Sequence, residues 1–496
     1  YNTGRDFIYD DDFKETADAY FQKSNQVDDE GNRLNINPDT NGRFHSDWIS
    51  MMYPRLKLAR NLLKEDGVIF ISIDDNEVSN LRKLCDATFG EPNFVANIVW
   101  QKVFAPKNSA KWFSEDHDHI LVYAKSKDLW QPNQLPATEE MIARYKNPDR
   151  DERGVWTSSD LAARNRYDAG LYQITCPSGR LIDGPPKGRY WSISKENFKK
   201  LDAHNRIWWG KEGDNMPRLK RFLSELKGGR TPQTLWQWKE VGHTQDAKKE
   251  LLKYVNFENT ENVLNSVKPT ALIQRALQLA TSPNNEDIVL DFFCGSGSTP
   301  HAVLKQNTED NGNRKFIAVQ IHEDLPKPEP SLSSILDMAT LRVRNYGNEI
   351  NSTTELDLTK INTGYRLLKI DSSNAKDIYY TPDTISQEEL ALQVDHIKED
   401  RTAEDLLFQV MLDWGVDLAL PISCESIQGK DVYFVDANAI AACFDTQINE
   451  DFVKELAKRE PLRVVFRDTS FESDSAKINV AEIFKLLSPN TDIKTL

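Results

Sequence analysis

The sequence predicts an α/β fold, and three segments carry this prediction. Val68 to Ile73 is a β-branched apolar run typical of a buried strand, which we interpret as parallel, and the helix that follows it is predicted to end at Gly90. Asp287 to Phe293 is a second apolar run, and a glycine-rich turn comes directly after it. Residues 395–496 repeat the strand and helix patterns on a smaller scale. Strands that alternate with helices favour a sheet covered by helices.

Length and composition exclude several classes of protein. The 496 residues exceed what one hydrophobic core supports, so we expect about three domains. No stretch approaches the roughly 18 consecutive apolar residues of a membrane-spanning helix, and Tyr1 to Asp12 lacks the basic and apolar regions of a signal peptide. Five separated cysteines without a CxxC pattern predict neither disulfides nor a zinc site. We therefore expect a cytoplasmic protein with no membrane association and no metal.

The first 129 residues are predicted as one half of the α/β domain. Residues 1–40 are acidic and polar, which predicts a loop with at most one short helix near Phe13 to Phe21. A helical apolar pattern begins at Trp48, and Pro54 within it indicates either the first turn or a kink. Two further strands are predicted after Gly90, at Ile98 to Trp100 and Ile120 to Ala124.

Residues 130–260 lose this periodicity and differ in charge from the rest of the chain. The whole sequence has a net charge of -15, which by itself disfavours nucleic acid as a partner. Between Pro186 and Lys239, however, 13 Lys and Arg residues face 5 Asp and Glu residues. Aromatic residues are interleaved with them, and residues 130–260 hold 7 of the 11 tryptophans. The pattern indicates either a nucleic-acid interface or a solvated face over a tryptophan-rich core.

A glycine-rich turn at Asp291 to Thr299 is the strongest ligand signal. A strand that ends in Asp, then GxG, then a helix start leaves backbone N–H groups beside a ligand. Ser298-Thr299-Pro300 after the second glycine disfavours a P-loop, and Pro300 also disfavours a dinucleotide site. The nucleoside of S-adenosylmethionine remains, beside the alternative of an ordinary strand-to-helix turn. Thr299 is predicted to cap the helix, with Pro300 in its first position.

The segment after the next predicted strand, Phe316 to Gln320, offers a second ligand group. Glu323 follows that strand, where its carboxylate is placed to accept both ribose hydroxyls or, alternatively, is simply solvated. A proline-rich linker comes next, and Thr402 with Asp405 then predicts a capped helix at the start of the tail. The predicted division is a catalytic half (1–129), an inserted region (130–260), a cofactor half (261–335), a linker (336–394) and a small α/β domain (395–496).

Several motifs in one order resemble the β-class of amino-methylating DNA methyltransferases, and specifically the modification (Mod) subunits of type III restriction-modification systems. The tail contributes LLFQVML, ACFDTQI and VVFRDTSFESDSAKINV, and the remaining motifs are YNTG at Tyr1, MMYPRLKLARNLL with GVIFISIDDNE from Met51, HDHILVYAK at His117, KPTALIQRAL at Lys268 and DFFCGSGST at Asp291. The resemblance covers nearly the whole chain. It implies a Rossmann-like sheet, an inserted target-recognition domain and a small C-terminal α/β domain.

The resemblance also implies a function and its partners. The expected reaction is methyl transfer from S-adenosylmethionine to adenine N6 in double-stranded DNA, without a metal ion. The expected partners are DNA, a second copy of the chain, and the ATP-dependent helicase-nuclease (Res) subunit, with the tail a candidate for assembly contacts or a stabilising cap. Two alternatives stay open, namely a solitary β-class amino-methyltransferase and a non-catalytic DNA-reading scaffold.

The resemblance assigns roles residue by residue. Tyr1 and Asn2 would be catalytic, with Tyr1 stacked on the extruded adenine. Residues expected to bind the cofactor are Lys268, Pro269, Asp291, Phe292, Gly295, Gly297, Ser298, Thr299 and Glu323. Residues expected to contact DNA are Arg189, Tyr190, Trp191, Lys220, Arg221, Arg230 and Trp236.

The family motif DPPYNTG is present here only from its tyrosine onward. In the family, the Asp side chain and a Pro carbonyl accept the two N–H bonds of the adenine amine and aim its lone pair at the methyl group. We therefore interpret the sequence as a fragment and expect that the chain as printed methylates DNA poorly.

Overall fold

The computed structural model describes residues 44–225, 229–264, 266–352, 362–376 and 397–496. The chain forms two compact units, Tyr1–Thr363 (unit 1) and Gly364–Leu496 (unit 2). The predicted loop and short helix over residues 1–40 lie outside the described residues. Among the helices of the described ranges, none combines the length and apolarity needed to cross a bilayer.

The first segment of unit 1 builds most of a four-stranded sheet. Its elements are α1 (Phe44–Leu62), β1 (Val68–Ile73), α2 (Val78–Phe89), β2 (Phe94–Gln101) and β3 (His117–Ala124). β3 pairs antiparallel with β1 on one side and with β2 on the other. The two helices cover one face through a core that includes Trp48, Leu56, Leu81, Phe89, Leu121 and Tyr123.

The inserted region has its own small sheets and its own core. Its elements are α3 (Glu139–Ala143), β4 (Trp156–Asp160), β5 (Ala162–Ala163), β6 (Ile174–Thr175), β7 (Leu181–Ile182), β8 (Tyr190–Trp191), α4 (Lys195–Ala203), β9 (Ile207–Trp208) and β10 (Arg218–Phe222). β10 lies between β4 and β9 and is antiparallel to both. The core contains Leu161, Ile174, Trp191, Phe198, Ile207 and Trp209.

The two ends of the inserted region meet at a neck. Leu135 and Arg230 exchange backbone hydrogen bonds of 2.9 and 2.7 Å. Leu135 already packs in the core of the four-stranded sheet. The region beyond the neck is therefore shorter than the predicted range 130–260.

The chain returns from the neck to complete the main body of unit 1. The elements are β11 (Leu235–Trp236), α5 (Trp238–Val241), α6 (Thr244–Tyr254), α7 (Thr270–Ala280), β12 (Ile288–Asp291), α8 (Ser298–Asp310), β13 (Lys315–Ala318) and α9 (Ile335–Ser352). β11 pairs parallel with β2, which gives the order β1-β3-β2-β11, while β12 and β13 form a separate parallel pair. α7 packs on both sheets, with Leu272 and Leu279 on the larger and Leu277 on the smaller.

Unit 2 is a small α/β domain, as predicted for the tail. Its elements are α10 (Ala403–Asp413), β14 (Ile422–Ile427), β15 (Lys430–Val435), β16 (Ile440–Cys443), α11 (Glu450–Ala457), β17 (Arg463–Phe466), α12 (Asp474–Leu487) and β18 (Asp492–Thr495). The strands form one sheet in sequence order, antiparallel from β14 to β16 and parallel from β16 to β18. The predicted capping box of Thr402 and Asp405 is present.

Four local expectations differ from the structure. β1 was expected to be parallel, but its observed partner β3 is antiparallel. Pro54 lies inside α1, so the interpretation that it marks the first turn is wrong, whereas the alternative of a kink stays a prediction. The cap of α8 is Gly297, so Thr299 lies one residue inside the helix rather than before it. The predicted linker from residue 336 begins with α9, which packs in unit 1 through Ile335 and Met338.

Candidate functional site

The glycine-rich turn between β12 and α8 has a backbone that requires glycine. Gly295 and Gly297 have positive φ angles of 53° and 74°. A Cβ atom on Gly297 would lie 3.1 Å from the carbonyl oxygen of Ala339 on α9, which is closer than ordinary packing allows. Residue 297 is thus restricted both by its conformation and by the helix that packs against it.

Side chains on either side of this turn fix its shape. Asp291 Oδ1 accepts a hydrogen bond from the Phe293 N–H at 3.0 Å, and Oδ2 accepts one from the Thr299 hydroxyl at 2.6 Å. Gln320 Oε1 accepts the Gly295 N–H at 2.7 Å. Asp291, which was predicted to bind the cofactor, therefore stabilises the turn through two hydrogen bonds. Gln320 was noted only as the end of a strand, and its amide was not recognised as part of the site.

Arg342 on α9 lies beneath the turn and was missed by the sequence analysis. Its side chain is fully buried and donates to Ser298 Oγ at 2.9 Å, to the Ser296 carbonyl at 3.4 Å and to Glu250 at 3.2 Å. Burial lowers the pKa of this guanidinium, and the charge of Glu250 opposes that effect. A buried cation connected to two serines of the turn holds the turn against α6 and α9.

Cys294 and His301 lie near the turn and belong to reactive side chain types, but neither is in its reactive protonation state at neutral pH. Burial raises the pKa of the Cys294 thiol to about 12, and the charge of Asp291 adds to the shift. Burial and then the charge of Arg342 lower the pKa of His301 to about 2. His301 Nδ1 accepts a hydrogen bond from Arg342 Nε at 3.1 Å. At neutral pH the thiol keeps its proton and the imidazole is neutral, so neither group provides a thiolate nucleophile or a ready proton.

Lys268 connects the glycine turn to the larger sheet. Its carbonyl accepts a hydrogen bond from Ser298 Oγ at 2.9 Å, and its ammonium lies 2.9 Å from Asp118 on β3. Lys102 reaches the other oxygen of Asp118 at 2.6 Å, and the Lys268 ammonium also lies 4.7 Å from the ring centre of Trp100. Burial alone would raise the pKa of Asp118, but the two lysines hold it below its usual range.

Pro269 and Glu323 lie on segments that adjoin these elements in the chain. Pro269 is the residue before α7 and packs against Gly242, where an added Cβ would lie 3.0 Å from the proline Cβ. Glu323 is half-buried, five residues after the end of β13, and its carbonyl accepts the Ile335 N–H at 2.9 Å. The structure thus brings Lys268, Asp291, Gly295, Gly297, Ser298 and Thr299 into one connected site, with Glu323 on the segment beyond Gln320.

Three residues predicted to contact DNA are instead parts of the core. Trp191 and Trp236 are 1% exposed, and their indole N–H groups donate to the carbonyls of Tyr172 and Gln233. Lys220 is fully buried and is paired with Asp149 and Asp151. These three assignments are wrong, because neither the indole rings nor the ammonium reaches the surface.

The other predicted DNA contacts remain predictions. Arg189 and Tyr190 are half-buried and Arg221 is exposed. Arg230 lies at the neck, where its guanidinium is 3.1 Å from Glu240. The expected catalytic residues Tyr1 and Asn2 lie outside the described residues.

One group of side chains has the composition of a metal site, although no metal was predicted. The ligand atoms of Asp75, His117 and His119 all lie within 4.8 Å of one another. His119 Nε2 is, however, already 2.9 Å from Asp75 Oδ1, and the Asp75 side chain is 60% exposed. A cation would have to displace that contact.

Comparison with known proteins decides the family. The profile of the DNA methylase family N6_N4_Mtase matches residues 1–327. The chain belongs to this family. The resemblance to type III Mod subunits is also confirmed, since the StyLTI Mod subunit of Salmonella typhimurium strain LT2 is 37% identical over 331 residues and the EcoPI Mod subunit of Escherichia phage P1 is 31% identical over 516 residues.

The extent of these matches differs between the relatives of this DNA methylase. The StyLTI alignment covers 66% of this chain and 48% of that protein, so the chain spans about half of its length. The EcoPI alignment covers 95% of this chain and 76% of that protein. The crystal structure of the M1.HpyAVI–SAM complex is 14% identical, with 59% of this chain and 83% of that chain covered, and its TM-score of 0.26 is too low for positions to be compared.

Proposed function

We propose that the protein is a site-specific DNA adenine-N6 methyltransferase, the modification and site-recognition subunit of a type III restriction-modification system. The observation that carries this proposal is the position of Lys268, which joins the glycine turn through Ser298 and joins β3 through Asp118. Three sequence motifs that are far apart in the chain thereby form one site. The alternative of an ordinary strand-to-helix turn does not account for this convergence.

The type III assignment is supported by the length of the EcoPI match. That alignment covers 95% of this chain, so it extends through unit 2, and the relative is named as a type III Mod subunit. A solitary methyltransferase has no need of such a tail. We propose that unit 2 serves assembly with a second copy of the chain and with the helicase-nuclease subunit, in the cytoplasm where the DNA is.

The residues of the site fit S-adenosylmethionine. The turn presents backbone without a Cβ atom at Gly295, which suits a flat nucleoside, while the missing Cβ of Gly297 lets the turn pack against Ala339 of α9. Glu323 would hold the ribose hydroxyls, and Lys268 and Pro269 would lie over the methionine end. Bound S-adenosylmethionine supplies a methyl group activated by the sulfonium.

The chemical step requires positioning rather than covalent catalysis by the protein. The N6 nitrogen of adenine would form a bond to the methyl carbon as the carbon–sulfur bond breaks, which leaves S-adenosylhomocysteine, and N6 would release one proton to solvent water. Tyr1 and Asn2 would present the base, while Asp118 keeps Lys268 in place. At neutral pH the Cys294 thiol is protonated and the His301 imidazole is neutral. Both states are consistent with a reaction in which neither residue acts as a nucleophile or transfers a proton.

A methyl-transfer assay tests the proposal. Tritiated S-adenosylmethionine and mixed genomic DNA would be incubated with the chain as printed and with a version that carries Asp-Pro-Pro before Tyr1. We expect the label on adenine N6 with the extended version and little with the printed chain. Label on cytosine would contradict the base assignment.

Cofactor and DNA binding serve as controls for that assay. If both versions bind S-adenosylmethionine and DNA but transfer no methyl group, the scaffold alternative replaces the enzyme. A Lys268→Ala variant of the extended version is expected to lose cofactor affinity, whereas Lys83→Ala, an exposed lysine on α2, is expected to keep it.

A further inference from the structure

The loop between β2 and β3 exposes two large aromatic side chains at its tip. This segment, residues 102–116, is called the β2–β3 loop below. Trp112 is 83% exposed and Phe113 is 93% exposed, and the two are adjacent in sequence. Large aromatic side chains ordinarily contribute to cores or interfaces, and an exposed pair of them indicates an interaction surface.

The base of the β2–β3 loop is firmly held. The N–H groups of Lys102 and Val103 donate to the Asp116 carbonyl at 2.8 and 3.1 Å. The Thr244 N–H and hydroxyl, at the start of α6, both donate to the Lys102 carbonyl at 3.0 Å. Within the loop, the Lys107 N–H donates to Ser114 Oγ at 2.8 Å. The aromatic tip is therefore presented on an ordered base, which lowers the entropy lost when the tip binds.

The charge of this loop favours a polyanion. The loop contains Lys102, Lys107 and Lys111, and its two acidic residues, Glu115 and Asp116, lie at its C-terminal end, so that residues 103–114 contain two lysines and no acidic residue in a chain with a net charge of -15. Within the described ranges, neither lysine forms an ion pair with a carboxylate. The Lys111 ammonium lies 5.3 Å from the ring centre of Trp112. Basic and aromatic side chains are thus presented side by side, the combination that binds phosphates and bases together.

The loop begins at the rim of the candidate site. Gln101 pairs with His117 across β2 and β3, so the loop leaves the sheet at the edge where Asp118 lies. Lys102, its first residue, shares the Asp118 carboxylate with Lys268. The loop that carries the two aromatic residues is therefore joined to the candidate site through its first residue.

We propose that Trp112 and Phe113 stack on bases of duplex DNA that is opened at the target step, while Lys107 and Lys111 hold the flanking phosphates. This inference rests on the proposed function and adds to it a device for opening or holding the duplex. Stacking on an aromatic face does not depend on base identity, so the loop assists extrusion of a base at any site and leaves the choice of sequence to the inserted region.

The test compares binding of a labelled mixed-sequence duplex with binding of the same duplex carrying a single mismatch. A mismatched pair costs less to unstack, so the unchanged protein is expected to prefer the mismatched duplex. The W112A/F113A double variant is expected to lose about tenfold in affinity for the mismatched duplex and to lose the preference. The K107A/K111A double variant is expected to keep the preference and to lower the slope of log affinity against log salt by about 2.

Controls separate the loop from the rest of the protein. Leu486→Ala removes an apolar side chain that is 80% exposed on α12, and Lys83→Ala removes a surface lysine; both are expected to bind as the unchanged protein does. If W112A/F113A keeps both the affinity and the preference, the role of the loop is overturned while the proposed function stands. If the unchanged protein binds neither duplex, both are overturned.

Discussion

Two fully buried cations of unit 1 serve different purposes. Lys220, in the inserted region, is paired with Asp149 and Asp151, so its charge is more than balanced by carboxylates. Arg342, on α9, pairs with the carboxylate of Glu250 at 3.2 Å and also donates to serines and to His301. The first cation completes a local ion cluster, whereas the second spreads its hydrogen bonds over the glycine turn.

The difference shows that the type of a residue and its region do not reveal its role. Lys220 lies among basic residues that indicated DNA binding, yet it stabilises the inserted region. Arg342 lies in a segment predicted to be a linker, yet it supports the candidate cofactor site. What separates them is the identity of the partners, since carboxylates neutralise a buried cation while hydroxyl and carbonyl groups are positioned by it.

Removal of Lys220 is expected to have the largest effect on stability. Lys220→Met leaves Asp149 and Asp151 without the buried cation and should lower the free energy of unfolding by about 3–5 kcal/mol. Tryptophan fluorescence during urea unfolding measures this. Arg221→Met, the exposed neighbour on β10, is the matched control and should change stability little. Equal effects of the two variants would contradict the structural role of Lys220.

Removal of Arg342 is expected to affect cofactor binding as well as stability. Arg342→Met removes hydrogen bonds worth about 1.5–3 kcal/mol each to a charged donor, and the freed turn should bind S-adenosylmethionine at least about tenfold more weakly. Calorimetric titration measures the affinity. Arg344→Met, on the exposed side of α9, should bind normally. If Arg342→Met binds S-adenosylmethionine as tightly as the unchanged protein does, the role of Arg342 is structural only, as it is for Lys220.

The pH dependence of stability should reveal the burial of His301 beside Arg342. Burial and Arg342 hold the pKa of His301 at about 2, compared with 6.5 when it is free. Because the unfolded chain takes up a proton that the folded chain excludes, stability should fall as pH drops below 6.5, by about 1.4 kcal/mol per pH unit. His301→Gln, which keeps an acceptor for Arg342, should remove this slope when unfolding is followed between pH 6.5 and about pH 5. An unchanged slope would assign the effect to other groups.

Gly297→Ala is expected to have the smallest effect on stability. Because residue 297 has a positive φ angle, the substitution should lower the free energy of unfolding by about 1–2 kcal/mol. Gly415 is the control for strain alone, because its φ is 64° and no atom of the described chain comes within 4 Å of an added Cβ. A larger loss at Gly297 than at Gly415 would measure the contact with Ala339. Cofactor affinity should fall only in Gly297→Ala. If it falls in neither variant, the turn is not the cofactor site.

Local signals in the sequence predicted most of the elements. β1, the end of α2 at Gly90, and the cap at Thr402 follow from apolar runs, glycine and capping groups that act within a few residues. The direction of β1 was not predictable from its composition, because an apolar strand with half-covered residues looks the same beside a parallel or an antiparallel neighbour. Pro54 was ambiguous for a similar reason, since the helix around it is stabilised by packing of Trp48 and Leu56.

The parts of the site that were missed depend on contacts between distant residues. Lys268 was predicted, but its partner Asp118 lies 150 residues away and no local pattern connects the two. Likewise, the buried Lys220 ammonium pairs with two carboxylates that lie about 70 residues earlier in the chain. Trp191 and Trp236 show the same limit, because an indole suits both a core and a nucleic-acid surface. Burial of such amphipathic side chains is decided by tertiary packing.

The neck at Leu135 and Arg230 has a consequence for how this protein can diversify. The two ends of the inserted region are joined to each other by one pair of backbone hydrogen bonds, and β11 then pairs with the main sheet. Residues between these two points can be replaced as a block without lengthening or re-routing the frame that carries the glycine turn. A recombination event with both crossovers at the neck would exchange one inserted region for another and keep this frame. Under the proposed function, in which the inserted region reads the DNA sequence, such an exchange would change the sequence preference in a single genetic step.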